Sequence, residues 1–140
     1  MPAFTEPRFW ADAMLGGLAR WLRVLGYDVR YENGISDTEL IRLARVEGRV
    51  VLTRDRALFE RLGPEAARYV QARRPLEQLA EVVSGLQLDT QNGRFTRCLL
   101  CNTPLEADGP LYRCPTCGRR YWEGSHVRRM RGLLDLLRKG

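Results

Sequence analysis

Val50-Val51-Leu52-Thr53 is an unbroken β-rich run, and Arg54 and Asp55 follow it directly. It reads as a buried strand, and the segments on either side of it repeat one theme. Upstream, Arg8-Phe9-Trp10-Ala11 is a short apolar stretch ending at Asp12, and Asp28-Val29-Arg30-Tyr31 is a second one. Between these two, Leu15, Leu18, Leu22 and Leu25 recur with the spacing of one helix face that ends at Gly26. Ser36 opens a second helix with Leu40, Leu43 and Ala44 inward, and it stops before Gly48. Downstream lie a short helix over 57–62, a weak strand over 68–71, and a last helix from Pro75 to about Leu86. Strands and helices alternating at this spacing predict an α/β fold, a parallel sheet flanked by helices.

Active sites in such sheets lie beyond the carboxyl ends of the strands. Asp12, the Ser36-Asp37 turn and Asp55 each follow a predicted strand, so three aspartates are expected to converge on one edge. Converging carboxylates are mutually repulsive unless a hard divalent cation such as Mg²⁺ or Mn²⁺ joins them, and such an ion can drive phosphodiester hydrolysis. A simpler role is open to each. Asp12 and Asp55 stand where helices begin and can act as caps, and Asp37 suits the positive end of a helix dipole. Ser36-x-x-Glu39 matches a capping box, which makes Glu39 structural. The chain has one histidine, His126, and lacks a phosphate-binding Gly-Lys loop, a serine-esterase elbow and a dinucleotide fingerprint.

All four cysteines fall in one segment, Cys98 and Cys101 followed by Cys114 and Cys117. Two C-x-x-C turns joined by a short loop present four thiolates to one ion, the pattern of a structural Zn²⁺ site with no open position. A disulfide pair, a redox C-x-x-C or an iron site uses related spacing. Arg94-Phe95-Thr96-Arg97 and Leu111-Tyr112-Arg113 are expected as short strands leading into the two turns, with Asn102 and Gly118 in left-handed positions after them. So small a unit needs its metal to fold.

The chain carries 23 basic and 17 acidic residues in 140, a net charge of +6. Residues 1–90 balance, with 13 arginines against 13 acids, so the whole excess lies in residues 91–140. That asymmetry favours an anionic partner, nucleic acid above all. All but one of the basic residues are arginine, which suits bidentate phosphate contact, although GC-rich coding or thermal adaptation also produces such a bias. No apolar run reaches the ~20 residues of a membrane helix, and the start of the chain does not read as a secretory signal. A cytoplasmic location without membrane contact is the expectation.

Asp12-Ala-Met-Leu-Gly-Gly-Leu-Ala-Arg-Trp-Leu-Arg-Val-Leu-Gly26, then Asp37-x-Glu39-Leu40, then Leu52-Thr-Arg-Asp55 closely resemble the PIN-like RNase domain named after the C-terminal region of the Mut-seven nuclease. Cys98 to Cys117 followed by Tyr121-Trp122-x-Gly124-Ser125-His126 is similar to the zinc ribbon of that family. The resemblance implies a PIN-like nuclease domain over 1–90, and a zinc ribbon with a basic C-terminal helix over 91–140. It also implies metal-dependent cleavage of RNA, with Asp12, Asp37 and Asp55 at the positions of the acidic site and Mg²⁺ or Mn²⁺ as the catalytic ion. PIN nucleases usually present four acids. Here the fourth is not evident: Glu60 is near Asp55 in sequence, and Asp89 is far along the chain.

Candidate nucleic-acid contacts are Arg20 and Arg23, three apart and opposite the leucine stripe, and Arg54 beside Asp55. In the C-terminal segment, Arg119, Arg120, His126, Arg128 and Arg129 join them, with aromatics interleaved at Tyr121 and Trp122. Trp10 and Trp21 read as core. Ser125 is expected to cap a helix that turns Val127, Met130, Leu133, Leu134 and Leu137 inward. Two other readings remain: a non-catalytic adaptor that binds nucleic acid through its ribbon, and a toxin-like nuclease held by a partner protein.

Overall fold

The computed structural model describes residues 7–137; Lys139 and the first six residues lie outside them. Four strands form a parallel sheet in the order β2-β1-β3-β4, with β1 at Arg8–Ala11, β2 at Val29–Tyr31, β3 at Arg49–Thr53 and β4 at Ala67–Tyr69. A 3-10 turn at Ala13–Leu15 and α1 (Gly16–Val24) connect β1 to β2; α2 (Asp37–Glu47), α3 (Arg56–Leu62) and α4 (Pro75–Leu86) follow in turn. The predicted alternation therefore holds, with boundaries moved by a residue or two.

Side-chain alternation along the central strands splits the core in two. Phe9, Ala11 and Leu52 join Leu18, Leu22 and Leu25 of the α1 segment and Leu79 of α4 on one face, all fully buried. Trp10 and Val51 turn to the other face, against Leu40, Ile41 and Ala44 of α2 and Leu58 of α3. Period-2 strands between amphipathic helices give this three-layer stack without further instruction. α2 ends at Gly48, whose left-handed φ of 65° closes the helix as expected.

Adjacent glycines at positions 16 and 17 let α1 lie close to two neighbours. A Cβ on Gly17 would stand 2.6 Å from Cγ of Pro75, a rigid ring that opens α4. Gly17→Ala is expected to cost about 1–3 kcal/mol by overpacking, read as a fall of several degrees in melting temperature.

The C-terminal segment begins with a departure from expectation. Residues 94–97 are not a strand: Phe95 takes a φ of 60°, its N–H donates to the Val24 carbonyl at 2.8 Å, and only Arg97 bridges to Pro104. The chain is bent there because its backbone is tied to the end of α1. A small antiparallel sheet follows, β5 (Glu106–Asp108), β6 (Leu111–Arg113) and β7 (Arg120–Tyr121), and then α5 (Ser125–Leu137). Ser125 is the first helical residue, with Gly124 accepting from Arg128 N in the preceding position. Leu134 of α5 is buried in the α1–α4 core, and Met130 and Leu137 pack against it, so the predicted apolar face docks on the sheet's helical layer. Among the described residues no helix is long and apolar enough to cross a membrane.

Candidate functional site

Asp12 and Asp55 stand at the carboxyl ends of the two central strands, β1 and β3, and Thr53 links them. The buried Thr53 hydroxyl donates to Asp12 Oδ2 at 2.8 Å and accepts the Asp55 N–H at 2.9 Å. Asp12 Oδ1 also accepts from Ala13 N at 2.6 Å, and Asp55 Oδ1 accepts from Ala57 N and Leu58 N at 2.9 and 3.2 Å. Both aspartates therefore cap the helical segments that follow them, as their simpler role foresaw. Asp55 Oδ2 takes part in none of these bonds, and each oxygen of an ionised carboxylate has two lone pairs. Hard oxygen donors with spare lone pairs fit Mg²⁺ or Mn²⁺, which commonly take one or two carboxylates and complete their shell with water and phosphate.

Asp37 lies exposed in the first turn of α2, where Ser36 Oγ, not Asp37, caps the helix by accepting from Glu39 N at 3.2 Å. Glu39 completes no box; its carboxylate pairs with Arg42 at 2.5 Å. Among the described residues the four cysteines are the only group of three or more potential ligands drawn within 4.8 Å of one another, so Asp12, Asp37 and Asp55 do not form so tight a set. Neither fourth-acid candidate changes this. Glu60 is exposed on α3, and Asp89 accepts from Gln91 N at 2.7 Å and Asn92 N at 3.1 Å in a turn of its own.

Two of the predicted phosphate contacts are turned inward. Arg23 is only 8% exposed: its guanidinium donates to the Val29 carbonyl at 2.8 and 3.0 Å and to the Leu99 carbonyl at 2.9 Å. Burial lowers its pKa from the ordinary value, opposed by the nearby Cys98 and Cys101 thiolates. Arg54 Nη1 donates to the carbonyls of Val70, Gln71 and Ala72 at 2.6–3.0 Å, so this half-buried side chain is tied to the chain beyond β4. Both look like surface positions in sequence; the chain segments that cover them come from 76 and 16 residues away. Arg20, Arg119, Arg120, His126, Arg128 and Arg129 are exposed.

The cysteine cluster meets its metal reading. A tetrahedron with Zn–S near 2.3 Å requires S···S separations of about 3.8 Å. Cys98 and Cys117 are 3.8 Å apart, far beyond a disulfide bond. Asn102 and Gly118 adopt the expected left-handed φ of 68° and 77°. Tyr121 closes the cluster: its hydroxyl accepts from Leu99 N at 3.1 Å and lies 3.2 Å from Cys98 Sγ. Burial and the Cys98 charge push that phenol up to about 12. Burial alone would raise Cys114, but N–H groups of Cys117 and Thr116 outweigh it and draw the thiol down to about 6. Cys101 goes the other way, up to about 12, through its hydrogen bond with Cys117 and its own burial. A cation relieves this conflict by taking all four sulfurs as thiolates.

With the fold, the strand-end carboxylates and the four-sulfur cluster in place, comparison of the chain with protein families is decisive. The family model of the Mut7-C RNAse domain matches residues 7–111 and 106–134. The chain belongs to the Mut7-C RNAse domain family. No curated protein and no solved structure matches it.

Within this Mut7-C chain the first cysteine turn is fastened to the sheet. Asn102 Oδ1 accepts from Val29 N at 3.0 Å, covering part of the edge strand β2, and its Nδ2 donates to Asp28 Oδ1 at 2.6 Å. Burial would raise the Asp28 carboxyl; bonds from Arg49 and Asn102 overcome that and hold it below the usual range. Arg97 Nε donates to the Gly26 carbonyl at 3.0 Å. Sequence reading missed Thr53 and the docking role of Asn102. Thr53 was visible as the last residue of the strand, two before Asp55, but its hydroxyl has no direction until β1 pairs with β3. Asn102→Gly keeps the turn and loses both side-chain bonds, an expected loss of about 1–3 kcal/mol. Asn102→Ala should add roughly 1 kcal/mol for the left-handed backbone, measurable by urea denaturation.

Proposed function

We propose that this chain is a cytoplasmic, PIN-type, divalent-metal-dependent ribonuclease that hydrolyses RNA phosphodiester bonds. Residues 1–90 form its nuclease domain, and residues 91–140 its zinc ribbon and basic helix. The observation that carries the reading is the Thr53 hydroxyl, which joins the Asp12 carboxylate to the Asp55 backbone N–H at the ends of the two central strands in a member of an RNase-domain family. Asp12 and Asp55 would hold Mg²⁺ or Mn²⁺. When bound, the ion supplies an activated water and neutralises charge on the scissile phosphate. Thr53 keeps the Asp12 carboxylate turned toward the edge, and Asp37, whose side chain caps nothing, orients water or completes the shell. Arg20, Arg119, Arg120, His126, Arg128 and Arg129 hold the RNA.

The test is cleavage of labelled single-stranded RNA with Mn²⁺, with Mg²⁺, or with no added divalent ion, so that the cysteine cluster keeps its own metal. Wild type is expected to cut only with Mn²⁺ or Mg²⁺, and Asp12→Asn and Asp55→Asn to lose cleavage. Cleavage indifferent to both the ion and the substitutions overturns the reading. One observation favours an adaptor without catalysis: three acids are not drawn within 4.8 Å of one another. RNA bound in a salt-sensitive way and never cut would select it.

A further inference from the structure

Between the first cysteine turn, β7 and the start of α5 lies an open groove of about 500 Å³. Its lining includes Arg20 from α1, Leu100 from the turn, and Arg119, Arg120, Trp122 and His126. The charge there is one-sided. Among the described residues neither Arg20 nor Arg119 has an ion-pair partner, and Arg120 has only Asp108 at 3.6 Å. The first turn of α5, a helix of 13 residues, borders the groove and adds backbone N–H groups at its positive end.

Trp122 is 61% exposed although it is among the largest apolar side chains of the protein. Its position is built. A Cβ on Gly124 would lie 3.0 Å from the indole Nε1, so the ring lies closely against the glycine backbone. The indole also walls a second, mostly apolar cavity of about 110 Å³ shared with Leu105, Val127 and Met130, so the ring stands between two open spaces. Tyr121, by contrast, is committed to Cys98 and Leu99 and is not free to stack.

An exposed aromatic ring among three guanidinium groups, of which only Arg120 has an ion-pair partner within the described residues, matches alternating bases and phosphates. A groove of this volume has the size of a small-ligand site, which admits a nucleotide or two and excludes a duplex. An acidic peptide would satisfy the arginines and leave the indole without a planar partner. We propose that the groove holds a short single-stranded stretch of RNA, one base stacked on Trp122 and the flanking phosphates on Arg20, Arg119 and Arg120. This rests on RNA being the substrate. It also makes the ribbon a reader of strandedness, with Arg20 supplied by α1, the helix that follows the Asp12 turn.

The test reads binding apart from cleavage. The metal-bound 140-residue chain carrying Asp12→Asn is titrated with labelled oligouridine, following anisotropy and tryptophan fluorescence, with an RNA hairpin stem and polyglutamate as comparisons. Trp10 is fully buried and Trp21 half-buried, so quenching reports Trp122. Trp122→Ala is expected to weaken binding on the order of tenfold and to abolish the quench, with metal content unchanged, and Trp122→Phe to recover most of the affinity. Arg119→Ala with Arg120→Ala should reduce the salt slope by roughly 1.4, about 0.7 for each lost phosphate contact. Unaltered affinity in Trp122→Ala, equal binding of the hairpin stem, or equal competition by polyglutamate overturns the proposal. Should Trp122→Ala fail to fold, the phenylalanine and double-arginine variants decide alone. Trp122-dependent binding by a protein that never cleaves keeps the groove and sinks the nuclease; cleavage without Trp122 dependence does the reverse.

Discussion

Asp12→Asn is expected to lower RNA cleavage on the order of 10³-fold while leaving the fold intact. The substitution keeps an oxygen that can accept from Ala13 N, so the 3-10 turn retains its cap. It removes the negative charge that would hold a divalent cation. A bound ion contributes several kcal/mol of charge stabilisation in the transition state, at about 1.4 kcal/mol per tenfold in rate. Thr53→Val offers an internal comparison. It deletes the hydroxyl that joins Asp12 Oδ2 to the Asp55 N–H and keeps both charges, so a partial loss is expected, appearing in kcat more than in RNA affinity. The measurement is initial cleavage rate against Mn²⁺ concentration. Wild-type activity in Asp12→Asn removes Asp12 from the site, and an unfolded variant is recognised by its circular dichroism.

Removing the metal from the cysteine cluster is expected to undo more than the ribbon. Apparent binding energies for a structural zinc run at about 10–16 kcal/mol near neutral pH, which equals or exceeds the whole stability of an ordinary domain. Little else holds the segment: apart from Cys98 and Cys114, residues 97–121 contribute no fully buried apolar side chain. The cysteine turn in turn supports its neighbour. Leu99 and Leu100 supply carbonyls to the buried Arg23, and Asn102 covers the Val29 N–H. Arg23 then keeps the Val29 carbonyl but faces the loss of its Leu99 and Leu100 acceptors and of the thiolate charges opposite it. Hydrogen exchange after chelation should show the amides of Cys98, Asn102, Cys114 and Gly118 losing protection together with that of Val29, while the β1–β3 ladder holds. Cys114→Ser should reproduce this pattern and reduce bound zinc from about one per chain. Full protection in metal-free protein would show that packing, not the ion, holds the ribbon to the sheet.

Much of this architecture was legible from residue order because it rests on periodicity. Leu18 and Leu22 face one way for the same reason that Phe9 and Trp10 face opposite ways: the helix repeats at 3.6 residues and the strand at 2. The cysteine spacing likewise pointed to a four-sulfur site, and the structure draws all four sulfurs within 4.8 Å of one another. Asp12 and Asp55 were placed at strand ends by the same logic. What order along the chain could not determine was which strands are neighbours and what lands on each helix.

Only the pairing of β1 with β3 brings the Thr53 hydroxyl between two aspartates 43 residues apart. Arg23 and Arg54 carry the sequence signature of solvated surface, yet both are turned to backbone carbonyls by segments that fold over them. Periodicity reports a face, not its partner. A partner is chosen by the burial and hydrogen-bond demands of residues far along the chain, and those demands exist only once the chain has closed on itself.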